Sequence, residues 1–97
     1  MRSVEFHPEA ESEFLSAARY YEDQAANLGL DFAAAVQLTC SRIVEYPESG
    51  RRFGHRLRRV LVTRFPYGLL YRVEPQRVLI LAVAHLRRRP GYWRSRS

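Results

Sequence analysis

Apolar positions in the last third of the chain recur with a period of two. From Tyr67 to Val73, the side chains of Tyr67, Leu69, Tyr71 and Val73 fall on one side and those of Gly68, Leu70 and Arg72 on the other. That alternation is the mark of a strand. Glu74-Pro75-Gln76 interrupts it, and Pro75, with no amide proton and a fixed φ, signals a tight reversal. Arg77 to His85 then reads as the returning strand of a hairpin. Its apolar residues occupy both faces, Val78, Ile80, Ala82 and Ala84 against Leu79, Leu81 and Val83, which predicts a central strand covered on both sides. Upstream, Arg56 to Arg64 alternates as well, with Val60 and Val62 opposed to Leu57, Leu61 and Thr63, and Arg51 to His55 reads as a basic loop.

The first half changes period. Ser3 to His7 alternates Val4 with Glu5 and Phe6 with His7, a short strand that ends at Pro8. Proline suits the first position of a helix, His7 is placed to cap it, and Glu9, Glu11 and Glu13 set negative charge against the positive end of its dipole. Ala10, Phe14, Ala17, Ala18, Tyr21 and Ala25 then recur at three and four, one apolar stripe of a helix. Asn27-Leu28-Gly29-Leu30 breaks it, with Gly29 able to take the left-handed conformation that ends a helix and Asp31 placed to cap the next. A second stripe follows through Phe32 or Ala33, Val36, Cys40, Ile43 and Val44, stopped by Tyr46-Pro47-Glu48-Ser49-Gly50. The predicted order is β-α-α-β-β-β. This is an α+β class in which a helical hairpin lies across one face of a mainly antiparallel sheet; pattern alone does not say where the first strand joins.

Length and charge narrow the possibilities. Residues 1–97 suffice for a single domain with one core. The longest apolar run, Val78 to Ala84, is too short to span a membrane, and the acidic opening lacks the basic start and apolar centre of a signal peptide. A cytoplasmic protein is therefore expected. Cys40, the lone cysteine, has no partner for a disulfide and no metal-ligand spacing, so no metal or cofactor is expected, and its place on the second helix stripe predicts a buried, inert thiol. Residues 1–50 carry nine acids and three arginines, a net of −6, and residues 51–97 carry thirteen arginines and one acid, a net of +12. Such a polarised molecule attracts acidic proteins or nucleic acid to one half only. All sixteen basic residues are arginine. Selection for planar, bidentate recognition of carboxylate or phosphate is one reading, and a genome rich in arginine codons is the other.

Taken in order, HPEAESEFLSAARYYE, LGLDF, YPESG, RRVLVTRFPYGLLYRVE and ILAVAHLRRRPGYW resemble the RelE/ParE superfamily of toxins from type II toxin-antitoxin pairs, most closely the ParE or plasmid-stabilisation branch. The resemblance spans Val4 to Trp93. It implies a toxin silenced by a co-expressed antitoxin in a hetero-oligomer.

Two activities occur in that superfamily. RelE-like members cleave mRNA on the ribosome, and ParE-like members poison DNA gyrase. Metal-independent cleavage through the RNA's own 2′-hydroxyl needs a base, cations for the developing charge, and an acid for the leaving oxygen. Here Arg64, Arg87, Arg88 or Arg89 would clamp phosphate, His85 or Tyr92 would move protons, and Trp93 or Tyr67 would stack on a base; the catalytic candidates are His85, Arg87 and Tyr92. RelE-like nucleases carry lysines on the sheet, and this chain has none. Inhibition of gyrase needs only an exposed basic and aromatic surface, for which the candidates are Arg64, Arg87, Arg88, Arg89, Tyr92 and Trp93. The missing lysines favour this second activity. A non-toxic nucleic-acid-binding domain is a third reading. The basic, aromatic surface also fits an antitoxin that presents an acidic amphipathic segment, lying along the helical hairpin or adding a strand to the sheet. Plainer roles exist beside these: His85 as a hydrogen-bonded end to its strand, Trp93 as a cover for the sheet, and the helix acids as a solvated face.

Overall fold

A computed structural model describes residues 1–96. The elements are β1 (Ser3–Phe6), α1 (Pro8–Gln24), α2 (Leu28–Glu45), β2 (Arg51–Arg52), β3 (Arg58–Leu61), β4 (Tyr67–Val73) and β5 (Arg77–His85). They form one five-stranded sheet of order β1-β5-β4-β3-β2. The three C-terminal strands make the predicted antiparallel meander, and β1 joins at the outer side of β5, parallel to it. The basic stretch expected as a loop contributes β2, which pairs with β3. Among the described residues no helix is long and apolar enough to cross a membrane.

The helical hairpin covers one face of the sheet. Ala10 and Ala17 of α1 and Phe32, Val36, Cys40 and Ile43 of α2 pack with Leu69, Tyr71, Val78, Ile80 and Val83 in the main core. Phe32 sits at its centre, with ring centroids 5.2 Å from Phe65 and 5.1 Å from Tyr67. Burial pushes the Cys40 thiol up to about 11, in keeping with an inert packing residue.

The helix–helix joint differs in detail from expectation. α1 stops at Gln24, Asn27 takes the left-handed conformation (φ 69°), and Gly29 lies inside the first turn of α2. Gly29 is needed for proximity, not for its φ. A Cβ there would come within 2.5 Å of the Ala18 carbonyl oxygen. The opening amides of α2 are capped by Glu22 instead of Asp31, since its carboxylate accepts from the N–H groups of Asn27 (2.9 Å) and Gly29 (3.0 Å). His7 does cap α1, its Nδ1 accepting from the amide of Glu9 at 3.1 Å.

Strand β5 also breaks its expected alternation. The pairing Ile80–Tyr71 is followed by Ala82–Leu70, so Leu81 is an extra residue in a bulge. Beyond it the faces exchange. Val83 joins Val78 and Ile80 under the helices, whereas Ala82 and Ala84 turn to the opposite face with Leu70.

Candidate functional site

That second face is closed by the C-terminal segment. After His85 the chain turns, the Leu86 amide donating to Pro66 O (2.9 Å) and the Arg88 amide to His85 O (3.0 Å), and it then crosses the sheet. Trp93 packs with Leu70, Ala82 and Ala84, and Phe53, Leu57 and Tyr92 border the cluster. The bulge makes this possible, because it presents two alanines, small enough to receive an indole, where regular alternation would continue the helix-facing row.

One ion pair fastens the segment. β1 ends at Phe6 while β5 continues to His85, which leaves polar backbone groups of β5 without a neighbouring strand. Glu13 Oε1 accepts from the Val83 amide at 3.0 Å, and Arg96 Nη1 donates to Leu81 O at 2.9 Å. The two side chains join through Arg96 Nη1 to Glu13 Oε1 and Nη2 to Oε2, both 3.0 Å, with only 7% and 14% of their side chains exposed. Together they stand in for the missing strand. Arg88 adds a longer contact to Glu13 Oε2 at 3.3 Å.

Tyr92 lies beside this pair. The guanidinium carbon of Arg88 is 3.6 Å from its ring centre and that of Arg96 5.0 Å. Its Oη is buried beside the Glu13 carboxylate, outside regular hydrogen-bond geometry. Burial first, and the negative charge of Glu13 second, push its pKa up to about 12.

The sequence candidates are therefore distributed unequally. Arg87 and Arg89 are exposed and, among the described residues, make no ion pair. Arg88 is half committed to Tyr92 and Glu13. Arg64 is at the β3–β4 turn, 64% exposed, with a loose 3.9 Å contact to Asp31. Trp93 corrects an expectation: it is 4% exposed, buried against Phe53 with centroids 5.8 Å apart, and it covers the sheet instead of offering a surface anchor. His85 sits on the helix-covered face, its ring 5.1 Å from that of Tyr67 and its Nδ1 accepting from the Arg87 amide at 3.0 Å. Tyr92 belongs to the cluster on the opposite face.

Three contributors escaped the sequence reading. Glu13, expected on a solvated face near the positive end of the helix dipole, stands three residues after Ala10 and four before Ala17, a spacing that puts it on the buried stripe. Arg96 carried no local signal, since its partners are 83 and 15 residues away. Arg59 stacks its guanidinium 4.8 Å from the Phe53 ring centre and extends the basic rim across the sheet. Among the described residues no group of three His, Cys, Asp or Glu side chains is placed to hold a metal.

A helical hairpin on one face of a mixed sheet is the architecture of the RelE/ParE-like class of small α+β domains. The chain matches the family described as ParE toxin of type II toxin-antitoxin system, parDE, over residues 4–90, and it belongs to that family. A solved structure of the chromosomal ParDE toxin-antitoxin system from P. aeruginosa is similar in fold, with a TM-score of 0.76, 17% identity, 89% of this chain covered and 97% of that one. No curated protein sequence matches the chain. The protein is thus a ParE-like toxin component of a type II toxin-antitoxin system.

Proposed function

We propose that this toxin acts by binding DNA gyrase and not by cutting RNA, and that it works in the cytoplasm. The observation that carries the reading is the separation of the two groups able to move protons. His85 lies on the helix-covered face, and Tyr92 lies on the other with its hydroxyl buried and its pKa raised to about 12. A general acid and base must reach one phosphodiester together, and a phenol so raised is a poor base near neutral pH. Recognition of a protein surface needs neither group. It can draw on the exposed Arg64, Arg87 and Arg89, with Arg88 and Tyr92 stacked beside them.

The cognate antitoxin has a separate place to bind. A groove of about 1000 Å³ runs between β1 and the two helices, lined by apolar residues that include Val4, Phe6, Leu15, Val36 and Val44. Beside it β1 is the end strand of the sheet. We place the apolar face of the antitoxin's amphipathic segment in this groove and its acidic residues toward the arginine-rich half. Testing requires the purified toxin, freed from antitoxin, in supercoiling and ribosomal mRNA-cleavage assays run in parallel. Gyrase inhibition with intact mRNA supports the proposal; cut mRNA with unaffected gyrase refutes it.

A further inference from the structure

A second depression lies apart from the C-terminal segment, where the Pro47-Glu48 corner meets the β2–β3 hairpin and the start of β1. It encloses about 360 Å³ and is framed by Arg2, Arg52, Arg56 and Arg58, with Glu48 as the one acid on its wall. That volume is at the small end of those that hold a ligand of nucleotide size.

Three of the four arginines belong to the β2–β3 hairpin and the fourth, Arg2, stands just before β1, and among the described residues none of them pairs with a carboxylate. Two are held in place by backbone oxygens. Arg2 Nε donates to Glu74 O at 2.7 Å, and Arg58 Nη1 donates to Glu48 O at 3.1 Å and to Gly50 O at 2.9 Å. Arg52 is exposed and stands directly opposite Arg58 in the β2–β3 ladder. Like charges in that position repel each other. Among the described residues no carboxylate comes within ion-pair distance of this pair, and a bound anion would. Arg56, in the turn between the strands, supplies another free guanidinium.

We propose that this cleft binds a phosphate ester, with Arg52 and Arg56 closing on its oxygens and Arg2 and Arg58 forming the fixed positive wall. Four guanidiniums facing one carboxylate call for a multiply charged anion, and the planar forks match phosphate oxygens two at a time. The phosphate can belong to a free nucleotide-sized molecule or to a nucleic-acid strand. The inference does not rest on gyrase being the toxin's target.

The test is calorimetric titration of the folded chain with sodium pyrophosphate at constant ionic strength. One site per chain is expected, weakened at least tenfold in the Arg52→Gln/Arg56→Gln double variant. It should be unchanged in Arg19→Gln/Arg42→Gln, which removes the same charge from the exposed surface of the helices. Arg52→Lys/Arg56→Lys, which keeps the charge and loses the forks, should fall between. A thymidine 12-mer that displaces pyrophosphate competitively identifies a nucleic-acid strand as the source, and one that leaves it bound identifies a small free phosphate compound. Absence of saturable pyrophosphate binding, equal weakening by the two Gln double variants, or a hexaglutamate peptide that binds as tightly as pyrophosphate would each overturn the proposal.

Discussion

Tyr71 does more than fill the core. Its hydroxyl donates to Pro47 O at 2.8 Å and accepts from the Gly50 amide at 3.1 Å, tying the end of α2 to the sheet. Tyr71→Phe strands a buried N–H and should cost about 1–3 kcal/mol in urea denaturation. Gly50→Ala, whose Cβ would lie 2.5 Å from that hydroxyl, should cost a similar amount, and the double variant less than the two together. Tyr92 is the opposite case. Its hydroxyl is buried beside the Glu13 carboxylate without regular hydrogen-bond geometry, so Tyr92→Phe should be close to neutral, within about 1 kcal/mol of wild type. The raised pKa adds a pH signature. Between about pH 10, where unfolded tyrosine ionises, and about pH 12 the folded protein holds a proton that the unfolded chain loses, so stability falls as pH rises through that window. Melting curves across it should fall less steeply for Tyr92→Phe. None of this was legible in the string GYW. Pattern identified aromatic residues next to arginines, but their burial depends on which face of the sheet the tail crosses.

At the scale of elements, patterning located both helices and the three C-terminal strands because each depends on local period. What it missed depends on contacts between elements. Gly29 looked like a terminator, yet it is a point of close contact between α2 and α1 that leaves no room for a Cβ. Helix propensity favours Gly29→Ala by about 1 kcal/mol, but the clash with Ala18 O is against rigid backbone and should win, for a net loss of about 1–3 kcal/mol by thermal melting. The β5 bulge was invisible because Leu81 is as apolar as its neighbours, and an apolar run carries no register. From it follow the exchange of faces and the backbone groups that Glu13 and Arg96 satisfy. Arg96→Ala leaves Glu13 buried without its main partner and should cost about 3 kcal/mol. Amide exchange at Val83 and Trp93 should rise first, since the tail loses its fastening before the helix-covered core is disturbed.

Across the whole molecule, the −6 and +12 halves seen in the sequence become arginine-rich strands, turns and tail beside an apolar groove between β1 and the helices, with Arg2 lining both the groove and the arginine-framed cleft. On the proposed contacts, charge carries target binding and apolar burial carries antitoxin binding, so added salt should weaken the first more than the second. Family membership was readable from the order of motifs, because that order reflects the fold. The placement on which the proposed target rests was not, because which face of the sheet His85 and Tyr92 pack on depends on the β5 bulge and on the path of the tail. The most direct measurement is therefore growth arrest and plasmid supercoiling in cells expressing a His85→Ala/Tyr92→Phe double variant, with folding verified by its melting curve. An inhibitor that works by binding predicts arrest and relaxed plasmid at wild-type levels. A folded double variant that arrests nothing, beside a wild type whose expression leaves plasmid topology unchanged, would contradict it.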